Sequence, residues 1–211
     1  DLTLVSGTIG DYAALVVPAN SDIKSMGDLV SAYKGNPSGV AIGGGSVPGG
    51  MDHLVAAMVM QAAGANPTEV KYVAYDAGGK AMAALLSGEI KALSTGFSEA
   101  VAMAKAGEAN IIGVTSNDRV GAFPDAKTMK EQGIDTYFVN WRGFFAAPGL
   151  PKDKLAAYQK AIDKMYSTPE WEAVRARNGW ENIHNPGDDF MTFLEGQEKE
   201  IGDLMKQLGF L

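Results

Sequence analysis

An α/β fold built on an open, doubly wound and mainly parallel sheet is predicted by three observations. Between Asp11 and Thr115, short apolar or β-branched runs alternate with segments of helical period. The connections between them are short, and several apolar runs empty into glycine-rich turns. Alternation at this spacing marks β-α-β units, whose right-handed crossovers put helices on both faces of one sheet.

The elements follow in order. Residues 12–17 (YAALVV) read as a buried strand ended by Pro18. Ser25 is an N-cap with Asp28 three residues on, approximating a capping box. That helix runs to Lys34 and stops before the Gly35, Asn36, Pro37 breaker. Residues 40–42 form a short strand that leads into GGGSVPGG at 43–50, and a helix spans 51–63 with Gly64 as its C′ stop. Met51, Met58 and Met60 lie at helical spacing and read as core. Residues 70–75 (VKYVAY) are a strand, followed by the turn DAGG at 76–79 and a helix to Ser87. A strand at 92–95, a helix over 97–106 and a strand at 111–115 complete the alternation.

Beyond Thr115 the rhythm changes. A polar loop covers 117–124, one or two helical turns 128–132, and an apolar strand 138–147. Three helices are then expected with no strand between them, at 151–166, at 169–177 with Thr168 as N-cap and Pro169 at N1, and at 187–208. Such a tail has no sheet of its own and needs a surface to pack on.

Composition excludes several classes of function. The 211 residues are 46% hydrophobic, enough for a sizeable core. Lys+Arg of 18 against Asp+Glu of 25 gives a net charge of −7 without a basic cluster, which argues against nucleic acid or an anionic membrane surface as partner. No apolar run approaches the roughly 20 residues of a transmembrane helix. Cysteine is absent, so disulfides, Cys-ligated zinc, iron–sulfur clusters and thiol catalysis are excluded. The chain begins at Asp1 rather than Met and reads as a processed product, an excised domain or part of a longer chain.

The chemistry-bearing candidates centre on the 43–50 loop. Ser46 brushes the nucleophile-elbow pattern G-x-S-x-G, but Pro48 occupies the second glycine position, and a base would have to come from His53 or His184. The dinucleotide pattern G-x-G-x-x-G fails at Pro48, Asp76 lies too far on for a ribose ligand, and no G-K-[ST] follows. What the loop does offer is backbone N–H groups that a ligand can approach closely, beside a helix start that favours negative charge. The turn at 76–79 and Thr95, Gly96 before the next helix repeat the device, so three helix starts along one sheet edge predict an anion-binding rim. His53 alone reads as a hydrogen-bonded structural histidine, and two distant histidines give no metal spacing. Arg142, in the apolar run WRGFF at 141–145, is either an edge charge reaching solvent or a guanidinium facing the cleft, suited to a carboxylate.

As a set these residues resemble the solute-binding receptors of the tripartite tricarboxylate transporter family, also called Bug receptors. The resemblance runs from about Asp1 to Leu211. It is carried by LVVP at 15–18, Ser21, Ile23, Asp28 and Leu29, the loop from Gly44 to His53 and Leu54, Tyr75, and AALLSGE at 83–89. It continues through KAG at 105–107, VTS at 114–116, Pro124 and Asp125, Trp141, Gly143 to Phe145, Ala147, Pro148 and Pro151.

The resemblance implies a two-lobed periplasmic receptor, similar to type II periplasmic binding proteins, that closes on a small organic carboxylate and is not an enzyme. It implies ligand contacts at Gly45, Ser46, Val47, Gly49, Gly50, Asp52 and His53, and in the turn of Tyr75, Gly78 and Gly79. Thr95 and Gly96 stand where many members have Asp-Asn, and Arg142 where many have an uncharged residue. Residues 1–140 correspond to the second, ligand-binding lobe, and 141–211 to a returning strand and C-terminal helices of a first lobe whose own sheet is not in this chain. The implied partners are a di- or tricarboxylate such as citrate and the membrane components of the transporter, with export to the periplasm and no cofactor, metal or nucleic acid.

The rival expectation is a Rossmann-like nucleotide- or acyl-binding enzyme. The lack of a base paired with a nucleophile favours the receptor. With part of the cleft missing, millimolar binding or none is expected of this chain. In the family pattern Ala156, Ile162, Met165, Phe190, Phe193, Leu194, Ile201 and Leu204 face a first-lobe sheet. The tail is therefore expected to sit differently here, folding onto the remaining lobe or pairing with a second copy.

Overall fold

The computed structural model describes residues 2–211. The elements are β1 (Thr3–Pro18), α1 (Met26–Gly35), β2 (Ala41–Gly44), α2 (Met51–Ala62), β3 (Lys71–Ala74), α3 (Gly78–Leu86), β4 (Ala92–Gly96), α4 (Phe97–Lys105) and β5 (Ala109–Val114). They continue with β6 (Val139–Ala146), α5 (Lys152–Tyr166), α6 (Pro169–Asn178), β7 (Glu181–Pro186) and α7 (Asp188–Gln207).

The main sheet has the order β3-β2-β4-β1-β5. β2 runs parallel to β3 and β4, whereas β1 is antiparallel to both β4 and β5. The strands β2, β3, β4 and β5 therefore point the same way, and their carboxyl ends share one edge. Leu15, Ile42, Val55, Val59 and Met60 pack with Met26, Leu29 and Tyr33 of α1 on one face of the sheet. Val16, Leu93 and Ile111 pack with Met82, Leu85 and Phe97 on the other. Of the three methionines expected in the core, Met60 is fully buried, while Met51 and Met58 are half-buried.

Local signals worked where the chemistry is short-range. Ser25 caps α1 by accepting from Asp28 N at 3.2 Å, and Asp28 Oδ2 accepts from Ser25 Oγ at 2.9 Å and from Lys24 N at 3.0 Å. Thr168 caps α6 by accepting from Trp171 N at 3.3 Å. Gly64, at φ 69°, follows the end of α2 in the left-handed conformation that closes a helix.

Two expectations are corrected. The first strand starts at Thr3, not at Tyr12, and its first half lies in a second, smaller sheet with β6 and β7. The tail helices are also not free of strands, because β7 lies between α6 and α7 and pairs with β1 through Ser6, Gly7, Ile9 and Gly10. The first half of β1 is broken up by glycines and β7 is polar, so neither announces itself. Glycines of β1 and β6 make room: a Cβ on Gly10 would overlap Val139, and one on Gly143 would stand 2.5 Å from the Phe190 ring. Residues 3–11 thus pair with β6 and β7.

The small sheet is the surface on which the tail packs. Phe190, at the start of α7, is fully buried against Trp141 (centroids 5.6 Å apart) and Phe145 (5.4 Å). Gln159 of α5 donates to Val5 O at 3.2 Å, and Tyr166 Oη donates to Thr8 O. α7 then runs on to α2, where Gln61 Nε2 donates to Gln207 Oε1 at 2.8 Å. Of the eight apolar tail residues, Phe190 and Leu204 are buried and Ala156 is exposed, with the other five half-buried.

Candidate functional site

The carboxyl edge of the main sheet gathers the 45–50 loop after β2, the 75–77 turn after β3, Gly96 at the end of β4, and Asp11 of β1. The loop is folded by its own polar groups. Gly50 N donates to Val47 O at 2.8 Å, and Ser46 Oγ accepts from Asp52 N in the first turn of α2 at 3.1 Å. Tyr72 of β3 donates its hydroxyl to Ser46 O at 2.7 Å, and His53 Nδ1 accepts from Gly49 N at 3.1 Å. Asp52 is buried, and burial pushes its carboxyl above the ordinary carboxylate range, while hydrogen bonds from Ser46 and the Gly45 backbone pull it back. Burial likewise holds His53 below the usual imidazole value.

Gly45 joins this loop to the next. A Cβ there would overlap the backbone nitrogen of Gly78, so the two turns touch backbone to backbone. Gly78 and Gly79 open α3, whose N-cap, Ala77, has no side chain able to take up the first N–H groups. This helix start lies directly against the loop, and the Glu99 carboxylate stands beside it, so close that a Cβ on Gly78 would overlap it. The α2 start, by comparison, already satisfies Asp52 N with Ser46.

The third helix start corrects the sequence reading. Asp11 reaches across from β1 and accepts from Ser98 N at 3.2 Å and Ser98 Oγ at 2.6 Å, so a carboxylate of the chain itself holds the start of α4. Thr95 is buried and donates to Glu99 Oε2 at 2.6 Å. Of the three helix starts, those of α2 and α4 are thus engaged by side chains of the protein, and that of α3 has no side-chain cap.

The remaining named residues divide as follows. Val47 is 73% exposed at the tip of the loop. Tyr75 turns away from the loop, and its hydroxyl donates to Glu89 Oε1 at 2.9 Å. Arg142 is exposed and donates to the carbonyls of Asn140 and Trp141 on its own strand, at 3.1 and 3.2 Å. It lies close enough to Asp11 to lower that carboxyl's pKa against the upward push of burial. Tyr72, Asp11, Ser98 and Phe210 were missed by sequence reasoning. Only alternation along residues 70–75, which sets Tyr72 and Tyr75 on opposite sides of the strand end, hinted at the first of them.

Chemically, the site holds no poised serine nucleophile. Ser46 is engaged by Asp52 N and stands 3.3 Å from Tyr72 Oη, while His53 Nδ1 is engaged by Gly49 N. The serine and the histidine thus form no nucleophile–base pair. Among the described residues no cluster of His, Asp and Glu is arranged to hold a metal ion, and no helix is long and apolar enough to cross a membrane.

Known proteins resemble this chain in sequence and in fold. A UPF0065 protein of Bordetella pertussis is 27% identical over 193 residues, covering 91% of this chain and 57% of its own length. The chain thus spans less than two thirds of that relative. The solved structure of Rpa4515 of R. palustris with adipate superposes with a TM-score of 0.85 at 18% identity, over 99% of this chain and 69% of the other. MatC of Rhodopseudomonas palustris with bound malate gives a TM-score of 0.76 at 15% identity, over 98% and 69%. The superpositions span nearly the whole chain, α5, α6 and α7 included. A family model described as the tripartite tricarboxylate transporter family receptor matches residues 1–210. The chain belongs to the tripartite tricarboxylate transporter receptor family.

Proposed function

We propose that this chain is the carboxylate-holding part of an extracytoplasmic solute-binding receptor that serves a tripartite tricarboxylate-type uptake transporter. The observation that carries the reading is the uncapped start of α3 lying against the 45–50 loop at the carboxyl edge of the sheet. There, backbone N–H groups and the positive end of a helix favour an anion without a cationic side chain. Malate and adipate, the ligands named for the two superposed structures, are small dicarboxylates and fit that chemistry.

In this reading residues 1–140 hold the ligand, and 141–211 belong with a first lobe that completes the cleft. A shallow apolar cavity of about 340 Å³, lined by Val5, Phe144, Phe145, Tyr158 and Ile162, supports a further partner for the tail side of the molecule. In the isolated chain a second copy takes that place, and sedimentation should detect self-association at micromolar concentration; a clean monomer would contradict it.

Arg142 supplies the second charge contact for ligands with more than one carboxylate, by turning from its own strand carbonyls. Such a charge-assisted bond is worth about 1.5–3 kcal/mol. Calorimetry of the chain against malate, adipate, citrate and NAD tests the reading. Millimolar affinity for the carboxylates, weakened for citrate by Arg142→Ala, is expected. Tight NAD binding without carboxylate binding would replace the receptor with a nucleotide-binding protein.

A further inference from the structure

The 45–50 loop is held by a stack of three rings. Tyr72 lies flat against His53, with centroids 4.6 Å apart and planes 10° from parallel. Phe210 stands edge-on to His53 at 5.5 Å and 87°. Two of these rings each hold one end of the loop, Tyr72 through Ser46 O and His53 through Gly49 N.

Phe210 reaches the stack by the way α7 ends. Gly209, at φ 78°, donates to Lys206 O at 3.1 Å, and Phe210 N donates to Met205 O at 2.9 Å. These two bonds form a Schellman motif, which projects the residue after the glycine back across the helix end. The Phe210 ring is thereby set against the Gly49 α-carbon, where a Cβ would meet it at 3.2 Å. Gly49 itself has φ 81°, a conformation that needs glycine. At its other end α7 is anchored in the small sheet by Phe190, so one helix spans from that sheet to the loop.

We propose that Phe210 is a positioning residue for ligand capture, holding His53 against Tyr72 and, through His53, fixing the Gly49 end of the loop. This rests on the loop being the ligand loop, and it assigns α7 the task of coupling the small sheet to it. The groups facing His53 are Tyr72 from β3, the Gly49 backbone N–H and the uncharged Phe210 from the C-terminal turn.

The test uses the full chain with Phe210→Ala and Phe210→Tyr. Without ligand, NMR follows the His53 ring titration and the exchange of the Gly49 amide. In Phe210→Ala, His53 should regain water and titrate closer to about 6.5. Gly49 exchange should quicken roughly tenfold as the loop opens locally. Phe210→Tyr, which keeps the ring, should restore both. Malate affinity by calorimetry should fall with the alanine variant and recover with tyrosine. If His53 and Gly49 behave in Phe210→Ala as in the wild type, the positioning role is overturned. If both respond while malate affinity stays the same, the role in capture is overturned, and the error lies in the reading of the loop as the ligand loop.

Discussion

At Gly45 the backbones of two turns touch, and this contact sets how closely the 45–50 loop lies against the start of α3. Gly45→Ala forces a methyl group into the Gly78 backbone, which cannot step aside as a flexible side chain could. Overpacking of this kind costs about 1–3 kcal/mol, and urea unfolding should show a loss in that range together with weaker carboxylate binding; unchanged values for both would mean that the turns part freely. His53 carries a pH dependence of definite sign. Its folded pKa lies below its unfolded value of about 6.5, so its contribution to stability is present above that pH and lost as pH falls. Asp11 and Asp52, raised by burial, act oppositely, because their protonation at low pH favours the folded state. Unfolding curves of wild type and His53→Phe between pH 5 and 8 isolate the histidine. The wild type should lose stability relative to the variant below about pH 6.5, and a constant difference would show that His53 titrates as in the unfolded chain. The sequence revealed the loop's glycines, since local composition encodes a turn. It could not reveal Tyr72 or Asp11, whose partners lie far along the chain.

Among the elements, the four parallel strands and the four helices from α1 to α4 were legible because each is a short apolar or amphipathic run closed by a capping or breaking residue. The small sheet was not. The first half of β1 and all of β7 are strands made by pairing, and by the space that the glycines of β1 and β6 leave, and not by their own hydrophobic pattern. Phe190 is the side chain that fills this space, edge-on to Trp141, tilted against Phe145 and lying over Gly7 and Gly143. Truncation of a buried phenylalanine costs about 3–5 kcal/mol, so Phe190→Ala should lower stability by that amount in urea and detach the start of α7. A loss under about 1 kcal/mol would mean that the small sheet does not depend on α7.

For the molecule as a whole, the family was legible because many weak matches run in one order along the chain. The surface on which the tail packs was missed for a physical reason. The tail was read as helices lacking a sheet, whereas β1 is long enough to belong to two sheets and supplies one to the tail. Asp11 lies where the two sheets meet, and its carboxylate holds the start of α4 through Ser98. The central claim is that a small carboxylate is held by backbone N–H groups of the 45–50 loop and of Gly78 and Gly79. A titration of malate followed by amide NMR shifts of the whole chain tests it most directly. Saturable millimolar shifts concentrated at 45–50, 78 and 79 are predicted. Shifts gathered at the opposite edge of the sheet, around Ile23, Gly39 and Gly88, or none at any amide, would contradict it.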